Sequence, residues 1–222
     1  MHLDARSLPR VTFAGALLLA PIANLVSTLV SPPLRSTEAA SLAEVVRHPD
    51  RFYLFTFFVS IGSMLLVPAL LGVMRLVRGR SPFLAYVGGA LAQLGVLVAI
   101  GDSMTQLVFW QMGTPGLDRA QMATLAHRYE SAPGSSLFFA VGGLALVAGL
   151  VLLAAGLWRA RVAPRWTALS LPASAVLNIA GFSAHSIPLL AASCVVMLAG
   201  MGRLALPFLG GERVGVALAS AV

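Results

Sequence analysis

The sequence contains no lysine; every one of its 15 basic residues is an arginine. Without a lysine amine, neither a retinal nor a pyridoxal Schiff base can form. There is a single cysteine, Cys194, which excludes an internal disulfide, a CxxC redox pair and a Cys-rich zinc or iron–sulfur centre. Charged residues make up only 10% of the 222, against roughly a quarter in a soluble domain. No GxxxxGK[ST], HExxH or GxSxG motif is present to support nucleotide, zinc-protease or serine-hydrolase chemistry.

What the sequence does have is apolar length: 58% of residues are hydrophobic and the mean hydropathy is +0.88. A transmembrane helix needs about 20 mostly apolar residues. Six stretches approach or exceed that length: 11–30, 52–74, 83–110, 136–158, 167–185 and 187–209. The expectation is an all-α polytopic membrane bundle, a single transmembrane domain over 1–222. No hydrophilic block is long enough to fold as a second domain.

The formal charge of +7 would point to nucleic acid in a soluble protein, but the arginines are distributed as a membrane protein distributes them. Ten (Arg6, Arg10, Arg75, Arg78, Arg80, Arg159, Arg161, Arg165, Arg203 and Arg213) flank one set of span ends. Five (Arg35, Arg47, Arg51, Arg119 and Arg128) flank the other. Five acids share that second side (Glu38, Glu44, Asp50, Asp118 and Glu130), and only Asp4 and Glu212 the first. The positive-inside rule then predicts a cell-membrane protein with both termini cytoplasmic.

The even spans end alike, at Gly72-Val-Met-Arg75, Gly156-Leu-Trp-Arg159 and Gly200-Met-Gly-Arg203, so the six read as three related hairpins. Each odd span carries one strongly polar residue in its outer half: Asn24, Asp102 and Asn178. In the third span, three- and four-residue steps trace Gly88, Ala92, Gly95, Ala99, Asp102 and Gln106 along one face. A stripe of small residues faces other helices rather than lipid. Gly142, Gly149 and Gly156 mark a packing seam in the fourth span. The fifth presents Thr167, Ser170, Ser174, Asn178, Gly181 and His185, and the first Ala16, Ala20, Asn24 and Ser27 or Thr28. The expectation is that the three polar stripes converge on one secluded pocket in the outer leaflet.

Asp102 is the sole acid within a span. An ionised aspartate at mid-bilayer costs about 2.5–3.5 kcal/mol on insertion scales, so something must offset it. Either the carboxyl works in a cavity, donating a proton or anchoring a cation, or it forms a polar clasp to Asn178 or Asn24 worth only about 0.6–2 kcal/mol. Residues 36–48 and 117–130 look like interfacial amphipathic helices, the first opening on a Ser41/Glu44 capping box. They would be either a lid on the pocket or helices resting on the bilayer surface. His48, His127 and His185 belong to this outer side, but no two ligands have a recognised metal spacing, so neither a metal nor any other cofactor is expected.

The six compact spans, the arginine-only basic loops and the segment Gly-Leu-Trp-Arg-Ala-Arg-Val-Ala-Pro-Arg-Trp at 156–166 resemble small, uncharacterised integral membrane proteins common in actinobacteria. In size and all-helical build the chain is also similar to small membrane-bound terpene cyclases, which protonate a prenyl chain or its epoxide with carboxylic acids. That resemblance implies a lipophilic substrate, with Asp102 as the catalytic acid or base and Asn24, Gln106, Asn178, His185 and Glu130 around the substrate. The chemistry usually employs two acids, and here the second would have to be Glu130 or Glu38. The competing reading is a non-catalytic transporter, sensor or accessory subunit. Membrane lipids and a lipophilic small molecule are the expected partners, and a conduit through six spans would call for a homodimer.

Overall fold

The computed structural model describes residues 8–33, 38–114 and 116–210. Eight helices follow one another: α1 Leu8–Val30, α2 Glu38–Arg47, α3 Pro49–Val77, α4 Pro82–Met112, α5 Arg119–Ser131, α6 Pro133–Ala160, α7 Arg165–Ser183 and α8 Ile187–Leu209. Proline punctuates their starts. Pro49, Pro82, Pro133 and Pro188 occupy first-turn positions, where the missing N–H costs nothing.

Five helices (α1, α3, α4, α6 and α8) are long and apolar enough to cross a membrane. The segment expected as the fifth span, α7, is not among them. It has 19 residues, and Thr167, Ser170, Ser174 and Asn178 dilute its apolar content. It nevertheless runs antiparallel to α8 along its length. A Cβ on Gly200 would collide with Ser170, and one on Gly181 would lie 2.7 Å from Leu190.

The six long helices form a closed ring in chain order, α1–α3–α4–α6–α7–α8 and back to α1, with α3 also touching α6 across the middle. Packing is most extensive within the pairs α1/α3, α4/α6 and α7/α8, which are the three hairpins read from the sequence. In the first pair Gly72 of α3 admits Phe13 of α1, and in the third Gly200 of α8 admits Ser170 of α7.

The apolar core lies at one end of this ring. It draws Leu17 from α1, Leu70 and Val73 from α3, Val96 from α4, Leu153 and Leu157 from α6, Leu171 from α7 and Leu204 from α8, all essentially inaccessible. Most of the described arginines lie at the same end, among them Arg75, Arg80, Arg159 and Arg165. Arg75 lies over the Phe13 ring and Arg165 over Trp158. The Arg80 Nη1 donates to the Ala160 carbonyl at 2.7 Å, satisfying an orphan acceptor at the end of α6.

At the opposite end the two short helices α2 and α5 pack on each other, α2 touching α3 and α4 while α5 touches α4 and α6. They therefore cover one side of the ring rather than its whole mouth. Ser41 falls inside α2 rather than before it, so the expected capping box is not the helix start. The cap found is in α5, where Asp118 accepts from the amides of Ala120 at 2.8 Å and Gln121 at 3.2 Å.

Candidate functional site: the Asp102 groove

Small residues bring α4 and α6 together. A Cβ added to Gly88 would lie 2.8 Å from Leu152, and one added to Gly142 would lie 2.6 Å from the Val98 Cβ. The stripe from Gly88 to Gly95 and the glycine seam of α6 are thus the two faces of one close antiparallel contact, as small-residue packing predicts. One turn further out the pattern changes. The α6 side now presents Phe138 and Phe139, which are too large for that approach, and the helices part around a groove of about 380 Å³.

Asp102 lies in this groove, with Thr105, Tyr129, Ser135, Phe138 and Phe139 among its walls. The carboxyl is half-buried and makes no hydrogen bond or ion pair with any described residue. Thr105 Oγ1 donates to the Gly101 carbonyl at 3.1 Å and lies 3.4 Å from the Tyr129 hydroxyl. Because the threonine proton is already used, the phenol is the donor in that pair. Tyr129 is held in place by an edge-on contact with Phe109, ring centroids 6.3 Å apart.

The first turn of α6 closes one wall. Its N-cap residue, Ala132, has no side chain able to cap it, so among the described residues the leading amides at Gly134 and Ser135 have no side-chain cap beside the groove. The groove opens sideways: Gly101 and Phe138 on its rim are exposed at the surface of the bundle. At 1.5 Å per residue Asp102 sits about 12 Å inward of Trp110, whose indole donates to the Pro49 carbonyl at 3.2 Å in the manner of an interfacial anchor.

The expected convergence of Asn24, Asp102 and Asn178 on one chamber does not occur. Their helices α1, α4 and α7 are separated around the ring by α3, α6 and α8. Asn24 packs on Gly62 of α3 and donates to the Ala20 carbonyl at 3.0 Å. Asn178, half-buried on α7, is set by the Gly200/Ser170 and Gly181/Leu190 contacts at the level of Ser193 on α8. Each polar residue is therefore level with its own hairpin partner. The hairpin repeat that places them at similar depths also keeps them apart.

Gln106 shares the Asp102 face of α4 one turn outward, half-buried, but does not line the groove. His185 is exposed in the α7–α8 turn with φ of 49°. Its amide donates to Phe182 at 3.1 Å and that of Ser186 to Gly181 at 2.8 Å, which is the Schellman arrangement with His185 as the left-handed residue. Its position thus has a structural reason remote from the groove. Glu130 belongs to α5, but its side chain, like that of Glu38, lies outside the described residues.

Some buried hydroxyls elsewhere in the outer half turn back on carbonyls of their own helices, as Thr56 does to Phe52 at 3.0 Å and Ser60 to Thr56 at 2.7 Å, and Ser27 donates to the Phe55 carbonyl of α3 at 3.2 Å. They offer little to a ligand. A larger depression of about 470 Å³ between α2 and α5 includes Arg47 and Arg119 but no acid or nucleophile, and Arg47 already pairs with Glu44 at 3.3 Å. The aromatic walls of the Asp102 groove were not singled out from the sequence, although counting outward along α6 from Gly142 leads to Phe139 and Phe138.

Five helices able to cross a bilayer make this a multi-pass membrane protein by build. Comparison with family models, with curated proteins and with solved structures finds no match for the chain.

Proposed function

We propose that the protein crosses the cell membrane six times with both termini cytoplasmic, and that the Asp102 groove binds a lipophilic small molecule entering sideways from the outer leaflet. The observation that carries the ligand reading is a half-buried carboxyl, without a partner among the described residues, in a laterally open cavity with phenylalanine walls. An acid at that depth costs several kcal/mol unless it has a role. Among the described residues no protein group takes the place of a partner, so a ligand is the natural one.

The six-span reading rests on the ring. α6 ends and α8 ends beside the arginine clusters, so α7 must return the chain to the opposite end before α8 starts. Its 19 residues span about 28 Å, close to the thickness of the hydrocarbon core. The excess of arginine on that end supports its cytoplasmic placement.

Binding without turnover is the form of the function we adopt. Prenyl cyclisation would need a second acid, and Asp102 is the sole carboxyl among the described side chains of the groove. Asn24, Asn178 and His185 stand elsewhere. A carrier, a sensor or an accessory subunit all fit a groove of this kind.

Mass spectrometry of lipophiles co-purified with wild type and with Asp102→Asn tests the ligand. A species retained by wild type and lost from the variant is expected, and identical content in both would remove the groove from the function. For topology, thiol labelling of Thr114→Cys and Gly210→Cys in a Cys194→Ala background should mark Thr114→Cys in intact cells and Gly210→Cys only after permeabilisation. The reverse pattern would invert the orientation.

A further inference from the structure

We propose that the ligand of the Asp102 groove is a lipophilic cation, a single-chain amine or quaternary ammonium whose head lies between the Asp102 carboxylate and the rings of Tyr129, Phe138 and Phe139. This rests on the reading of the groove as a ligand site and adds the chemical class.

Charge is the first argument. No arginine lines the groove, although arginine supplies every basic side chain in the protein; Arg119 and Arg128 of α5 line other depressions. The first turn of α6 contributes about half a positive charge against the full negative charge of an ionised Asp102. The site is therefore complementary to a cation and repels an anionic head.

The walls supply the second argument. Aromatic faces carry the negative part of the ring quadrupole and attract a desolvated cation, quaternary ammonium above all. Three rings beside one carboxylate provide both halves of such recognition. A neutral lipid would gain from the rings alone and leave the acid unpaired.

Size and depth narrow the class further. A volume of about 380 Å³ lies at the small end of ligand pockets. It suits a compact head and the upper part of one chain rather than a two-chain phospholipid. A charged head about 12 Å inward of Trp110 needs a counter-charge at that depth, and Asp102 is placed to be one. The exposed rim at Gly101 and Phe138 leaves the tail free to lie among acyl chains.

The test uses the full chain in neutral phosphatidylcholine nanodiscs with three radiolabelled probes of equal chain length: dodecyltrimethylammonium, dodecanol and dodecyl sulfate. Partition into empty discs is subtracted. Wild type should prefer the ammonium over the alcohol by about tenfold or more; Asp102→Asn should abolish that preference and Asp102→Glu should keep it. Phe138→Leu, which thins the wall without altering charge, should reduce ammonium binding while retaining alcohol binding, and it serves if Asp102→Asn fails to fold. Equal binding of ammonium and alcohol, unaffected by Asp102→Asn, would overturn the cation while leaving a lipophile groove intact. A preference for the sulfate would assign the site to the α6 amides and overturn it too. Binding of no probe above empty discs would sink the groove reading as well.

Discussion

A Cβ built on Gly149 of α6 would lie 2.7 Å from the Cα of Ala92 on α4. The obstacle is backbone on both sides, so no rotamer change relieves it. Gly149→Ala should therefore destabilise the protein by about 1–3 kcal/mol, the cost of overpacking a close contact. A lowered thermal midpoint in detergent would show it. Gly143, six residues earlier in α6 with nothing within 4 Å of its added Cβ, is the control. Gly143→Ala should be neutral, or stabilising by up to about 1 kcal/mol through helix propensity.

Asp102 gives a prediction of opposite sign for its two readings. If the carboxyl were a clasp between helices, its removal would loosen the bundle. With no protein partner among the described residues, Asp102→Leu should match or exceed the thermal midpoint of wild type stripped of its ligand, because an acid that costs about 2.5–3.5 kcal/mol at mid-bilayer is gone. The same variant should lose the co-purified ligand, the usual trade between stability and function. A midpoint several degrees lower would favour the clasp.

The left-handed backbone at His185 makes a third. A non-glycine residue there costs roughly 1–2 kcal/mol, so His185→Gly should stabilise the α7–α8 turn by about 1 kcal/mol, less the entropy glycine adds to the unfolded chain. Ligand content should not change. His185→Val, β-branched at positive φ, should destabilise it. Thermal unfolding of the pair measures both effects.

Asp118 supports the groove from a distance. Its side chain caps α5, and Asp118→Ala should cost about 0.5–2 kcal/mol of helix stability. Because α5 carries Tyr129 into the groove wall, hydrogen exchange should rise across 119–131 and ligand retention should fall. Unaltered exchange in α5 would show that packing on α4 and α6 alone holds the helix.

Much of this was legible from local pattern. The long helices begin and end within three residues of the apolar stretches, because proline and arginine mark both boundaries in the sequence itself. The hairpins, and the glycine seam of α6 against the stripe of α4, follow from spacing that period 3.6 makes readable. What local pattern does not carry is which helix neighbours which. Asn24, Asp102 and Asn178 occupy like positions in like hairpins, and likeness of position does not make them neighbours. Phe138 and Phe139 are hard to single out in the sequence for a related reason. Bulky residues in an apolar helix mean nothing until a partner with glycines below them shows that they wedge the pair apart. Ser41 shows the limit at short range, since a capping signature inside a longer run of good helix formers does not stop the helix from starting earlier.

Ring closure between α1 and α8 has a consequence for biogenesis. The first long helix leaves the ribosome well before the last, so the flank of α1 that α8 eventually covers must wait in the lipid, or against the insertion machinery, while all the others are made. That flank carries Cys194's neighbour Thr28, 3.7 Å from the sulfur in the finished ring. The Thr28 hydroxyl also donates to the Asn24 carbonyl of its own helix at 2.9 Å, a bond that does not depend on the arrival of α8.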